Sequence, residues 1–130
     1  MAAFPSVHHV AVTVTDLDSS AAWYSKLFSA EPVLDEDTGA FYHKVCALGG
    51  TLFGIHGHKA TDAQDRFSEF RVGLDHVSFG VASRGELEEC EKLLDGIGFK
   101  HGGIVDAPYG SGLSFRDPDN NALEFFAPPS

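Results

Sequence analysis

Val7-His8-His9-Val10-Ala11-Val12-Thr13-Val14 alternates with period two, placing Val10, Val12 and Val14 on one face and His9, Ala11 and Thr13 on the other. This is the pattern of a half-buried strand. Thr15-Asp16-Leu17-Asp18 then offers capping side chains to a helix whose apolar stripe is read as Ala22, Trp23, Leu27 and Phe28. Sixty-seven residues after His9 the same grammar returns at His76. Asp75-His76-Val77-Ser78-Phe79-Gly80-Val81 alternates again, with Val77, Phe79 and Val81 on the apolar side. Ser83-Arg84-Gly85-Glu86 has the form of a capping box, Leu87, Cys90, Leu94 and Ile97 form the second stripe, and Gly96 and Gly98 end it.

Strand-like material follows each helix: Ala40–Leu48 and Thr51–His56 in the first half, and Gly103–Val105, Leu113–Arg116 and Ala122–Phe126 in the second. Asp117-Pro118-Asp119-Asn120 reads as a tight turn with proline at its second position. The chain is therefore expected to be α+β, a duplication of a strand-helix-strand-strand-strand unit. Its boundaries are read as one domain over 1–130, with module one at about 7–58, a linker at 59–73 and module two at about 74–127. The polar stretch Lys59–Arg71 is expected either to line a cavity or to form a dimer seam. Helices should cover the aliphatic faces. The face bearing His9, Ala11, Thr13, His76, Ser78 and Gly80 is left for a ligand.

With 43% hydrophobic residues and 11 Phe among 130, the chain has enough apolar surface for a folded core. The net charge of −10 is spread over both halves and repels phosphate backbones and anionic lipid, so neither a nucleic-acid nor a membrane partner is expected. Cys46 and Cys90 stand far apart with no CxxC pattern, which suits two buried thiols better than a disulfide scaffold or a zinc knuckle. The opening MAAFPSVHHV has no basic segment before an apolar run, and no 18-residue apolar stretch occurs, so a cytoplasmic protein is expected.

His9 and His76 hold matching places in the repeats, and quasi-twofold pairing of the halves would turn both imidazoles toward a shared cavity. In Ala122-Leu123-Glu124-Phe125-Phe126, Glu124 stands opposite in facing to Leu123 and Phe125. A carboxylate within an apolar strand is costly unless it is paired or binds a metal. Two histidines and one carboxylate form a facial set suited to Fe(II) and compatible with Zn, Mn, Ni or Co. The ordinary alternatives are hydrogen-bonded histidines and a Glu124–Arg116 ion pair.

The strand HHVAVTVTDL with its following helix and WY pair, the second-half LDHVSFGV and the closing RDPDNNALEF together resemble the vicinal oxygen chelate superfamily, the glyoxalase/bleomycin-resistance/dioxygenase group. The resemblance runs over roughly residues 7–127. It implies tandem βαβββ modules whose mixed sheet curls around a metal-binding cavity, with ligands on the first and fourth strands of each module, and a homodimer. Carried over by position, it implies that His9, His76 and Glu124 hold a divalent ion, and that His8 faces away.

Two positions depart from that pattern. Glyoxalase I-like isomerases place a glutamate on the fourth strand of module one, where this chain has Gly54. His56, two residues on and on the same face, is the candidate catalytic group as general base or ligand, with His58 beside it if the strand continues. Extradiol dioxygenases and fosfomycin-modifying transferases place a tyrosine ten residues before the metal glutamate, where this chain has Ser114. Tyr109, in the loop Pro108–Gly112, is expected to pack on its neighbours. Trp23 and Tyr24 are expected to pack against the sheet, and Arg71 and Arg116 either clamp an anionic substrate or pair with acids such as Glu69 or Asp117.

The resemblance thus implies a metal-dependent lyase, isomerase or dioxygenase acting on a small molecule with vicinal oxygens. The alternatives are a metal-independent sequestering protein of the bleomycin-resistance type, which the acidic surface would suit for a cationic ligand, and an extradiol-type dioxygenase.

Overall fold

The computed structural model describes residues 3–130, which form two compact units, one ending at Asp65 and the other beginning at Arg66. The element order repeats. The first unit holds β1 (His9–Thr13), α1 (Leu17–Phe28), β2 (Leu34–Asp37), β3 (Phe41–Leu48) and β4 (Thr51–His58). The second holds β5 (Val77–Gly80), α2 (Arg84–Ile97), β6 (His101–Ala107), β7 (Gly110–Arg116) and β8 (Ala122–Ala127). Each set of strands forms its own mixed four-stranded sheet, ordered β1-β4-β3-β2 and β5-β8-β7-β6. This is the expected α+β duplication of βαβββ modules, with the hydrogen bonding divided between two sheets.

Local chemistry sets the helix boundaries. Asp16 caps α1 by accepting from the Ser19 amide at 3.1 Å, and Ser83 caps α2 by accepting from the Glu86 amide at 3.2 Å. The return arm of that second cap runs from the Ala82 amide to the Glu86 carboxylate at 2.8 Å. α1 ends on Ser29 and α2 on Gly98, both left-handed, whereas Gly96 lies inside the last turn of α2.

In both sheets the first strand lies parallel to the last, so the central position is filled by a strand that must be apolar on the helix side. Phe53 and Ile55 of β4 are fully buried, as is Leu123 of β8 at 1% exposure. The ring of Tyr24 packs on Phe28 and Phe53 at 5.6 and 5.0 Å between centroids, and Phe125 packs between Phe79 and Phe115 at 5.9 and 5.3 Å. Leu87 and Leu94 of α2 complete the second core. Cys46 is buried and Cys90 half-buried, both as free thiols. Among the described residues no helix is long and apolar enough to cross a membrane.

Three local expectations are corrected. The buried stripe of α1 is Ser20, Ala21, Tyr24 and Leu27, so Ala22 is exposed and Tyr24, rather than Trp23, is the aromatic anchor. The small residues Ser20 and Ala21 allow the helix to approach the sheet. β2 was not separately readable, because Leu34-Asp35-Glu36-Asp37 is exposed throughout and carries no apolar alternation. Its charges suit a sheet edge. β6 is longer than expected and is interrupted by an irregularity between His101 and Ile104, where Gly103 has φ +77°.

Phe53→Ala should destabilise the first unit by about 3–5 kcal/mol, as for other fully buried aromatics, read by chemical denaturation. In the second unit, Arg84 at the start of α2 binds Asp106 of β6 through two contacts of 2.9 and 3.1 Å. Arg84, and then Ser111, hold the Asp106 carboxyl down from 3.8 to about 2. The folded value lies below the unfolded one, so this stabilisation is present above about pH 4 and is lost as the pH falls toward 2. Arg84→Met should therefore lower Tm at pH 7, with the gap to wild type closing between pH 4 and 2. A gap that persists at pH 2 would assign Arg84 a packing role instead.

Candidate functional site

The strand registers define equivalent positions. Ala11 stands opposite Gly54, and Ser78 opposite Glu124. Since Ala11 and Ser78 each lie two residues beyond their histidine, Gly54 and Glu124 occupy the same place in the two modules. The open face of the second unit carries His76, Ser78, Glu124 and Ser114, the last directly opposite Glu124 on β7. The open face of the first carries His9, Ala11, Thr13, Gly54 and His56, with His43 opposite His56 on β3.

Within the second unit His76 and Glu124 are brought together, His76 Nε2 lying 3.4 Å from Glu124 Oε1. Asp75 binds His76 Nδ1 at 2.7 Å. A carboxylate can only accept, so the tautomer that satisfies Asp75 carries its proton on Nδ1 and its lone pair on Nε2. Two electron-rich atoms at that separation are stabilised by a positive charge, either a second proton on the ring or a cation. Atoms each about 2.1 Å from one ion stand about 3.0–3.4 Å apart, so the donor pair fits a divalent ion. The carboxylate behind the ring is the usual outer support of a metal-binding histidine.

His9 has a matching support. His8 Nδ1 and His9 Nδ1 are hydrogen-bonded at 2.8 Å, and when His9 is the donor its Nε2 is open. The expectation that His8 faces away is thereby corrected, because His8 precedes the first residue of β1 and the alternation of the strand does not govern it. Asp75 likewise precedes β5. The sequence reading set His8 aside and gave Asp75 no role, although each sits immediately before its histidine. Among the described residues, no group of three or more His, Cys, Asp or Glu side chains is placed to hold a metal ion.

The His56 ring lies against Gly54. From the position that a Cβ on residue 54 would occupy, His56 Nε2 is 3.0 Å away and the Cβ of Ala11 3.1 Å. The imidazole folds back over the glycine and fills the volume that a side chain there would use. Phe41 stacks on it, with centroids 4.8 Å apart and planes 11° from parallel, while His43 meets it edge-on at 5.1 Å. Burial, followed by the charges of His43, His58 and His9, lowers the pKa of His56. The base form is thus favoured. His58 is the last residue of β4, with its ring centroid 6.1 Å from that of His56. His43, unremarked in the sequence, has its Nε2 shielded from solvent and without a hydrogen-bond partner among the described residues. Only the β3–β4 register would have identified it.

A cleft of about 240 Å³ in the second unit is lined by His76, Glu124, Ser114, Arg116, Asp75 and Glu69. Arg116 pairs with Glu69 at 2.7 Å, and Arg71 donates to the Arg66 carbonyl at 2.5 Å. Tyr109 is 74% exposed and stacks on Phe126, so its ring is held by its neighbour. Gly110 leaves room for the Phe126 ring: with φ +141°, a Cβ there would clash with the Ala127 carbonyl oxygen and with the ring itself. The turn before β8 is built by Asp117, whose Oδ1 accepts from the Asp119 and Asn121 amides at 2.9 and 2.8 Å.

Known proteins share this architecture. A model of the Glyoxalase/Bleomycin resistance protein/Dioxygenase superfamily matches residues 6–125. The metallothiol transferase FosB of Staphylococcus saprophyticus is 24% identical over 121 residues, covering 92% of this chain and 74% of its own. The crystal structure of a glyoxylase/bleomycin resistance protein/dioxygenase domain from Frankia sp. EAN1pec aligns at 32% identity and TM-score 0.87, covering 98% of this chain and 95% of its own. That of lactoylglutathione lyase from Agrobacterium tumefaciens shares the fold at 20% identity and TM-score 0.71, covering 94% and 92%. Repeat, register and matching model agree: the chain belongs to the glyoxalase/bleomycin resistance protein/dioxygenase superfamily, also termed vicinal oxygen chelate.

Proposed function

We propose that this chain is a divalent-metal-dependent enzyme acting on a small molecule with two adjacent oxygens, with His9, His76 and Glu124 holding Fe, Zn, Mn, Ni or Co and His56 transferring a proton. The observation that carries this reading is the 3.4 Å approach of His76 Nε2 to Glu124, with Asp75 behind the ring. We further propose a homodimer, with the ligands drawn from one chain or from two, and a cytoplasmic setting, which suits the free Cys46 and Cys90.

A bound ion would supply Lewis acidity to the adjacent oxygens and offset negative charge developing on them. The remaining chemistry belongs to the side chains. Asp75 and His8 orient their histidines and direct Nε2 outward. His56, whose base form is favoured by burial and by its imidazole neighbours, accepts a proton at Nε2. Its position over Gly54 supports an isomerase or lyase, because relatives with a glutamate at that strand position use it for proton abstraction. An extradiol dioxygenase is less well supported, since Ser114 offers no phenol opposite Glu124.

Chelator-stripped protein should regain about one divalent ion per chain by elemental analysis, whereas His76→Ala and Glu124→Gln should not. Equal uptake by His76→Ala would overturn the metal reading, and tight ligand binding indifferent to metal removal would point to a sequestering protein. His56 should titrate below the ordinary imidazole value of about 6.5 by NMR, and His43→Gln should raise its midpoint by removing a like charge. An unmoved midpoint would eliminate His43 as a cause.

A further inference from the structure

Arg116 is the only lysine or arginine lining the cleft that holds His76 and Glu124. Ser114 and Arg116 are two residues apart on β7, and Ser114 stands opposite Glu124, so the guanidinium shares the open face with the carboxylate. Both hydrogen bonds of Arg116 leave from Nη1, one to Glu69 Oε2 at 2.7 Å and one to the Asn120 carbonyl at 3.2 Å. Among the described residues Nε and Nη2 have no hydrogen-bond partner. Those two nitrogens form the edge that grips a carboxylate or phosphoryl group through parallel bonds.

The anchoring through Nη1 is itself built into the fold. The segment carrying Glu69 is tied to the turn before β8, with the Phe67 amide donating to the Asp119 carbonyl at 2.9 Å and the Asn120 side chain donating to the Phe67 carbonyl at 3.0 Å. Arg116 immediately precedes that turn. The pairing with Arg116 also lowers the Glu69 carboxyl below its usual range, which keeps the partner ionised. One corner of the guanidinium is thereby fixed while its other edge stays uncommitted. Elsewhere the cleft presents the acids Glu69, Asp75 and Glu124, so an anion entering it has a single strong cationic donor to meet.

We infer that Arg116 recognises an oxyanion, a carboxylate or phosphoryl group, on the substrate, and that Glu69 is its positioning residue. The inference rests on the proposed function in taking the His76–Glu124 cleft as the substrate's site. The cleft volume of about 240 Å³ lies below the ordinary ligand-pocket range of about 300–1,000 Å³, so the substrate portion bound there is small and carries its charge close to the reacting oxygens.

The test uses inorganic phosphate with the full chain, both stripped of metal and supplemented with zinc, observing the Arg116 Nε–H resonance assigned by its loss in Arg116→Lys. In stripped protein the resonance should shift saturably with phosphate, and Arg116→Gln should weaken binding at least tenfold. Glu69→Ala should weaken it severalfold while Glu69→Gln, which still accepts a hydrogen bond, restores most of the affinity. An unmoved resonance at saturating phosphate, or unchanged affinity in Arg116→Gln, overturns the inference. Failed zinc uptake with intact phosphate binding removes the metal reading and leaves the anion subsite standing. Normal zinc uptake with a silent Arg116 does the reverse.

Discussion

Parallel pairing of the first strand with the last, repeated in both modules, determines which side chains share the open face. Helix packing commits the alternate residues of the central strand to the core, Phe53 and Ile55 in one unit and Leu123 in the other. A shift of one residue would bury Glu124 beneath α2 and expose Leu123. The positions of Glu124, and of Gly54 at the matching point, therefore follow from hydrophobic burial. The candidate site depends on that register more than on any single polar contact.

Most of the fold was legible because its signals are local and redundant. Alternating strands, a capping box and the repeat agreed about β1, β5 and both helices. β2 carried no such signal, since Leu34-Asp35-Glu36-Asp37 gains its strand conformation by pairing with β3 rather than from its own pattern. The stripe of α1 was misread by about one residue because Trp23 outweighs Ser20 and Ala21 in hydrophobicity, whereas close approach to the sheet favours the smaller pair. His9 and His76 stood out by their matching places in the repeat and Glu124 as a carboxylate in an apolar strand, whereas His56 was named through the family resemblance at Gly54. His8 was set aside as facing away and Asp75 was given no role, because their contacts with His9 and His76 are side-chain contacts between chain neighbours that alternation does not describe. His43 was hidden for a different reason: its contact with His56 joins residues on separate strands and exists only through their register.

The relation between His56 and Gly54 is a steric one between positions two apart on a strand. A residue two places along a strand faces the same side, and a long ring can fold back over a position without a Cβ. Gly54 is what makes that volume free, since a Cβ there would press against both His56 and Ala11. An imidazole there differs in charge from a carboxylate, and burial together with the surrounding imidazoles makes its protonation harder.

The two open faces have consequently diverged in chemistry while keeping one backbone plan. In the first unit Phe41, His43, His56 and His58 form an aromatic and imidazole surface, with stacking and edge contacts in place of ion pairs. In the second, Asp75, His76, Glu124, Arg116 and Glu69 form a surface of fixed charges and hydrogen bonds. Charged groups are costly to leave unpaired, so the second face is rigidly partnered and suits holding and orienting. The first face instead gathers imidazoles, of which His56 is held toward its base form by burial and by its neighbours. Duplication supplies two sheets of the same topology, and the residues at matching positions give their open faces different chemistry.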